Sequence, residues 1–333
     1  MNITRQIELE EAQGTLPPKY ALLMKQFFNS FTETRASLGL GLEEIQELFS
    51  TFLALVVEQC RDPYHFELYH THITSPFNYY QFGIDLISGI VDRKASTARN
   101  QQYVAEMCAH LKAGENIVLL ANHQTEVDPQ IMSILLEGSY PDFARELIFV
   151  AGERVITDPM ATPLSMGRNL LCIYSKRYMD VQPERREEKQ AHNRRTMMRM
   201  AQLLAEGGRA IYVAPSGGRD RPDGQGGVPV APFDPQSIEM FRLMALRSGK
   251  PCRFYPLALA SYNILPPPDS LAKELGEARY TKGGGVHIAF GKEIEMDHFP
   301  GSDERDKHKR RAALAEYAWS LVNALYEKLP KQG

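Results

Sequence analysis

Several marks of functional class are missing from this chain. Its four cysteines, Cys60, Cys108, Cys172 and Cys252, are scattered and form no CxxC pair. That excludes a disulfide framework and a cysteine-based metal site, and leaves free thiols of a reducing compartment. No run approaches the roughly 18 uninterrupted apolar residues that a membrane-spanning helix needs. An excess of one charge is also missing, since 38 Lys and Arg stand against 41 Asp and Glu, a formal net charge of −3. Overall charge therefore points neither to nucleic acid nor to a polybasic membrane protein. Neither a Walker sequence nor a GxGxxG fingerprint occurs, so nucleotide binding has no support. The opening residues, Met1 to Gly14, are acidic and carry no apolar core, which is unlike a secretory signal.

What is present centres on one stretch. Ile117-Val118-Leu119-Leu120-Ala121 is apolar and β-branched enough to predict a buried strand. Pro129 then opens an apolar run through Leu136 that reads as a helix. Between them lie His123 and Asp128, five residues apart, where an α/β protein presents side chains at the carboxyl end of a strand. A neutral imidazole takes a proton from a hydroxyl near pH 7 if a carboxylate fixes its tautomer and ring. The pair is thus a candidate base with its orienting acid. The blander alternative makes Asp128 an N-cap before Pro129 and His123 a loop residue satisfied by backbone.

At 333 residues, one large or two unequal domains are expected. From Pro17 to about Cys60, apolar residues recur at helical spacing, among them Leu23, Phe27, Phe31, Phe49 and Phe52. This predicts a small N-terminal helical bundle over residues 1–75. Residues 76–333 are expected to form the α/β catalytic domain. Asp62 to Phe82 reads as an irregular linker whose His65, His70 and His72 lack a partner at ligand spacing, so no metal is expected. Helices are predicted over Ala95–Lys112, Pro183–Gly207, Asp234–Ser248 and Arg311–Leu329, and another from Thr157-Asp158-Pro159. Strands are predicted at Leu147–Ala151, Leu170–Tyr174, Ala210–Ala214 and Cys252–Leu259. The alternation predicts an α/β fold: a mixed, mainly parallel sheet flanked by helices.

Two strand ends carry basic residues: Ser175-Lys176-Arg177-Tyr178, and the glycine-rich Pro215-Ser216-Gly217-Gly218-Arg219-Asp220-Arg221. Between Lys176 and Arg221, 11 Lys and Arg stand against 6 Asp and Glu, a local +5 that points to an anionic ligand. Arg219 and Arg221 offer planar forks suited to phosphate. The alternative is a structural turn in which they pair with Asp220 and Asp223.

These segments resemble the soluble, plastid-type glycerol-3-phosphate 1-O-acyltransferases over about Thr15 to Glu327. The motifs that carry the likeness are Asn122-His123-Gln124-Thr125-Glu126-Val127-Asp128-Pro129, Phe149-Val150-Ala151-Gly152-Glu153-Arg154-Val155, Thr157-Asp158-Pro159, Ser165-Met166-Gly167-Arg168-Asn169-Leu170, Ala214-Pro215-Ser216-Gly217-Gly218-Arg219-Asp220-Arg221-Pro222-Asp223 and Phe254-Tyr255-Pro256-Leu257-Ala258-Leu259. The resemblance implies an HxxxxD active site at His123 and Asp128. It also implies a glycerol-phosphate pocket with Arg219, Arg221, Lys176, Arg177 and Tyr178. Where plant members carry Lys-His, this chain has Arg177-Tyr178, which keeps one cation and one hydrogen-bond donor.

The expected reaction is direct acylation of the sn-1 hydroxyl of glycerol 3-phosphate, the first step of phospholipid synthesis. The donor would be an acyl thioester of acyl carrier protein or CoA. No cofactor and no nucleic acid is expected, and peripheral membrane contact would serve product release. The setting would be bacterial cytoplasm, or plastid stroma after removal of a transit peptide. Alternatives are acylation of another phosphorylated alcohol such as lysophosphatidate, or a non-catalytic acyl-carrier or lipid-binding module.

Overall fold

The computed structural model describes residues 2–41, 44–175, 179, 183–268 and 276–330. Three helices open the chain: α1 (Ile3–Ala12), α2 (Pro18–Ser37) and α3 (Ile45–Arg61). The segment before Gly14, expected to lack an apolar core, is helical, with Ile3 and Ile7 buried one turn apart. Asn2 caps it, accepting from the Thr4 N–H at 2.8 Å. Phe49 of α3 meets Phe28 and Phe31 of α2 edge to face, with centroids 5.0 Å apart.

The expected linker is more ordered than its composition suggested. It holds a two-residue strand β1 (Tyr69–His70) and the start of helix α4 (Tyr79–Ser88), which Asn78 caps through the Gln81 N–H. His70 contacts the Met166 carbonyl and His72 the Asn169 side chain, so both rings have protein partners. Downstream, Thr97–Arg99 is strand β2 and helix α5 (Gln102–Lys112) starts only after it, a correction to the helix expected from Ala95. Asn100, at φ 59°, makes the break.

The α/β portion follows in order: β3 (Asn116–Ala121), α6 (Asp128–Leu136), α7 (Pro141–Glu146), β4 (Ile148–Gly152), α8 (Glu153–Thr157), α9 (Thr162–Met166), β5 (Asn169–Ile173), α10 (Arg186–Glu206), β6 (Ala210–Val213), α11 (Pro235–Arg247), β7 (Cys252–Ala260), β8 (His287–Phe290) and α12 (Lys307–Tyr326). Thr157 closes α8 and does not start a helix, while Asp158 sits between two short helices. The strands form one sheet in the order β1-β5-β4-β6-β3-β7-β8-β2. The five central strands run parallel, and β1 and β8 are antiparallel to their neighbours β5 and β7.

β3 lies between β6 and β7 and all six of its residues are buried. A strand covered on both faces needs no polar alternation, which is why Ile117 to Ala121 is continuously apolar. Its side chains divide between two cores. Val118 and Leu120 join Ile211, Phe254 and residues of α10 to α12, whereas Ile117 and Leu119 join Tyr255, Phe149 and residues of α5 to α7. Among the described residues, no helix is long and apolar enough to cross a membrane.

Candidate active site

The carboxyl ends of β3, β6 and β7 meet at one edge of the sheet, and Asn122 fastens them there. Its amide nitrogen donates to Asp220 Oδ2 at 2.8 Å and to the Leu259 carbonyl at 2.9 Å, and its oxygen accepts from the Leu259 N–H at 2.7 Å. The Asn122 carbonyl accepts from the Tyr212 hydroxyl at 2.7 Å. Burial, and then the nearby Asp128 and Asp220 carboxylates, hold that phenol protonated well above its usual range. Asn122, like Tyr212, is buried.

His123 follows. Its Nδ1 lies 2.8 Å from Asp128 Oδ2. A carboxylate only accepts, so Nδ1 carries the proton and Nε2 is left with a free lone pair. The imidazole is 29% exposed while the carboxylate is 0% exposed, so one partner is reachable and the other is not. Burial of Asp128 is offset by an unusual number of donors. Oδ2 also accepts from the Gln124 N–H at 2.9 Å; Oδ1 accepts from Ser261 Oγ at 2.7 Å, Thr125 Oγ1 at 3.2 Å and the Thr125 N–H at 3.3 Å. The N-cap alternative does not describe this residue. α6 begins at Asp128 itself, and the carboxylate turns back to the loop amides in front of it.

Gln124, also buried, ties the loop to the last elements of the chain. Its Oε1 accepts from the Ser261 and Tyr262 N–H groups at 2.7 and 3.0 Å, and its Nε2 donates to the Tyr326 hydroxyl at 3.1 Å.

The glycine-rich loop after β6 comes back against His123. Gly217, at φ 68°, makes a turn that a side chain would strain. The Asp220 carboxylate accepts from the Ala231 N–H and from Asn122, and not from the arginines on either side of it. Burial raises its pKa from 3.8 to about 6 against those bonds. Asp223 accepts from the N–H groups of Gln225 and Gly227. Arg219 instead pairs with Glu277 at 2.5 Å, and Arg221 donates to the Pro268 carbonyl at 2.5 Å. Lys176, Arg177 and Tyr178, expected beside them, lie outside the described residues.

A second ion network abuts the first. Arg279, 4% exposed, pairs with both oxygens of Glu126, lies 3.7 Å from Asp158 and donates to the Glu277 carbonyl at 3.0 Å. Burial opposes its charge, and the carboxylates around it more than restore the balance. Glu126 stands inside the His123–Asp128 loop, so this cluster links the candidate base to the partner of Arg219. In the sequence Glu126 and Asp158 stand out only as members of longer motifs. Ser261, Glu277 and Arg279 had no signal, being single polar residues far along the chain.

Beside His123 lies a cleft, partly open to solvent, lined among others by Phe149, Ala151, Leu164, Arg168 and Tyr212. A cleft with an imidazole on its wall and a mainly apolar lining can join a polar acceptor to an acyl chain.

An acyltransferase family model matches residues 97–260, the span that holds both His123 and Arg219. A chloroplastic glycerol-3-phosphate acyltransferase of Phaseolus vulgaris is 42% identical over 97% of this chain and 70% of its own length. That of Arabidopsis thaliana is 36% identical over 97% and 71%. The chain belongs to the glycerol-3-phosphate acyltransferase family.

Proposed function

We propose that the chain transfers a fatty acyl group from an acyl thioester of acyl carrier protein or CoA to the sn-1 hydroxyl of glycerol 3-phosphate. The products are 1-acyl-glycerol 3-phosphate and the free thiol. The observation that carries this reading is the His123–Asp128 pair, in which a fully buried carboxylate holds a reachable imidazole.

His123 Nε2 takes the proton of the sn-1 hydroxyl as its oxygen attacks the thioester carbonyl. The buried Asp128 stabilises the imidazolium that forms. Collapse of the tetrahedral intermediate breaks the carbon–sulfur bond, and the departing thiolate takes the proton back from His123. No acyl-enzyme is needed.

Arg219 and Arg221 hold the phosphate, with Lys176, Arg177 and Tyr178 as further donors. Their loop is bonded to the backbone of His123, which supports a fixed distance between phosphate and base. Such positioning contributes strongly when two substrates must meet. Phosphate binding then draws Arg219 wholly or partly from Glu277.

The purified protein should release thiol from an acyl thioester when glycerol 3-phosphate is added, and much less with lysophosphatidate. Equal release with both alcohols, or none with glycerol 3-phosphate, would overturn the assignment.

A further inference from the structure

One wall of the cleft beside His123 is laid down by the sheet. Phe149 of β4 stands in register with Leu170 of β5 and Tyr212 of β6, and Ala151 with Cys172. Residues two apart share a face, so an apolar trough descends from the carboxyl edge toward the amino end of β5. Gln130 of α6 and Leu164 of α9 also line it.

At the amino end of β5 the trough meets a charge. Arg168 immediately precedes β5, five residues before its last residue, Ile173. At about 3.3 Å per residue its backbone lies about 16 Å below the edge that carries His123, and its side chain reaches back to Ser133, about 7.5 Å along α6 from Asp128. Arg168 is 2% exposed. Its Nη1 donates to Ser133 Oγ at 2.5 Å, and its Cζ lies 4.6 Å from the centroid of the Tyr80 ring. Nε and Nη2 make no hydrogen bond of good geometry among the described residues, the Tyr80 side chain supporting the charge, and Gln130 Oε1 accepts none. Burial lowers the Arg168 pKa to about 10, which leaves it cationic at neutral pH.

Buried donors on a cation call for an oxygen, from water or from a ligand. A hydrocarbon tail offers none. We infer that Arg168, with Gln130, is a polar floor that ends the acyl-binding trough and limits the length of the chain transferred. This rests on the acyl-transfer reading above. Below the limit, each further buried methylene raises kcat/KM by about fourfold. A chain that reaches the floor must strip oxygens from Arg168 and loses that gain.

The test compares saturated acyl-CoA thioesters that differ by two carbons, on wild type, Arg168→Met and Gln130→Leu. In wild type, kcat/KM should climb with length and then break. In Arg168→Met the break should move to longer chains, with the first disfavoured thioester gaining about tenfold or more. Gln130→Leu should move it the same way by less, and reads the floor if Arg168→Met fails to fold. The KM for glycerol 3-phosphate should stay unchanged in both. A folded variant whose break stays at the wild-type length, or which loses equally at all lengths, would overturn the floor.

Binding of the same chains as non-transferable CoA thioethers, followed by calorimetry, separates the two readings. A wild type that turns over nothing yet binds thioethers with the same break keeps the floor and refutes only the acyl transfer. Thioether affinities with no break in wild type would refute the floor itself.

Discussion

The backbone N–H of Asp220 donates to the carbonyl oxygen of His123 at 2.6 Å. Arg219 and Arg221 flank Asp220, so one bond holds both candidate phosphate ligands against the candidate base. The Asp220 carboxylate adds a second tie through Asn122. Two segments nearly a hundred residues apart in sequence are thereby tied together.

That carboxylate gives a pH signature. Its folded pKa of about 6 lies above its ordinary 3.8, so the folded state binds more protons between those values and stability falls as pH rises through them. The gap corresponds to roughly 3 kcal/mol. Asp220→Asn should flatten this part of the stability profile, although its NH2 then faces a donor and lowers stability at every pH. Urea unfolding of both proteins from about pH 4 to 7 checks it. Parallel profiles would show that Asp220 does not titrate there.

Ser261 holds the acid that holds the base. Ser261→Ala removes the 2.7 Å bond to Asp128 Oδ1. A hydrogen bond to a charged group is worth roughly 1.5–3 kcal/mol. A lower melting temperature and a several-fold lower kcat are expected, with the KM for glycerol 3-phosphate unchanged. Unchanged melting and kcat would mean the remaining donors suffice.

Arg279 should be the costliest cation to remove. Arg279→Met leaves Glu126 and Asp158 buried without their partner, a loss of roughly 3–5 kcal/mol. Arg145→Ala removes an exposed pair with Asp142 and should cost less than about 1 kcal/mol. Denaturant midpoints of the two variants make the comparison. Similar midpoints would remove Arg279 from any structural role.

Arg219→Ala should raise the KM for glycerol 3-phosphate by about 10- to 150-fold, the equivalent of one charge-assisted bond. The KM for the acyl donor should barely move. Initial rates with each substrate varied in turn decide this. Equal changes for both would take Arg219 out of the phosphate site.

Much of this architecture can be read from local pattern. β3, β4, β6 and β7 are short apolar runs between turn signals, and the loop after β3 carries its chemistry within eight residues. The sheet edges are harder. β1 and β2 have only two and three residues, too few to show a period, and exist because β5 and β8 offer them a partner. The polarity of the His70 neighbourhood suggested a linker for the same reason. Asp128 was ambiguous between cap and acid because both precede a proline, and only the direction of its carboxylate separates them. Ser261 and Arg279 reach the site through long-range contacts that no local spacing records.

The central claim is that His123 is the base and Asp128 its orienting acid. The most direct measurement is single-turnover acyl transfer to glycerol 3-phosphate by His123→Ala and Asp128→Asn, each checked for wild-type folding by circular dichroism. His123→Ala should slow transfer by at least about 10², the lower range for loss of a general base. Asp128→Asn should be nearly as slow, since an amide does not stabilise an imidazolium. A folded His123→Ala that transfers at a near-normal rate would contradict the account.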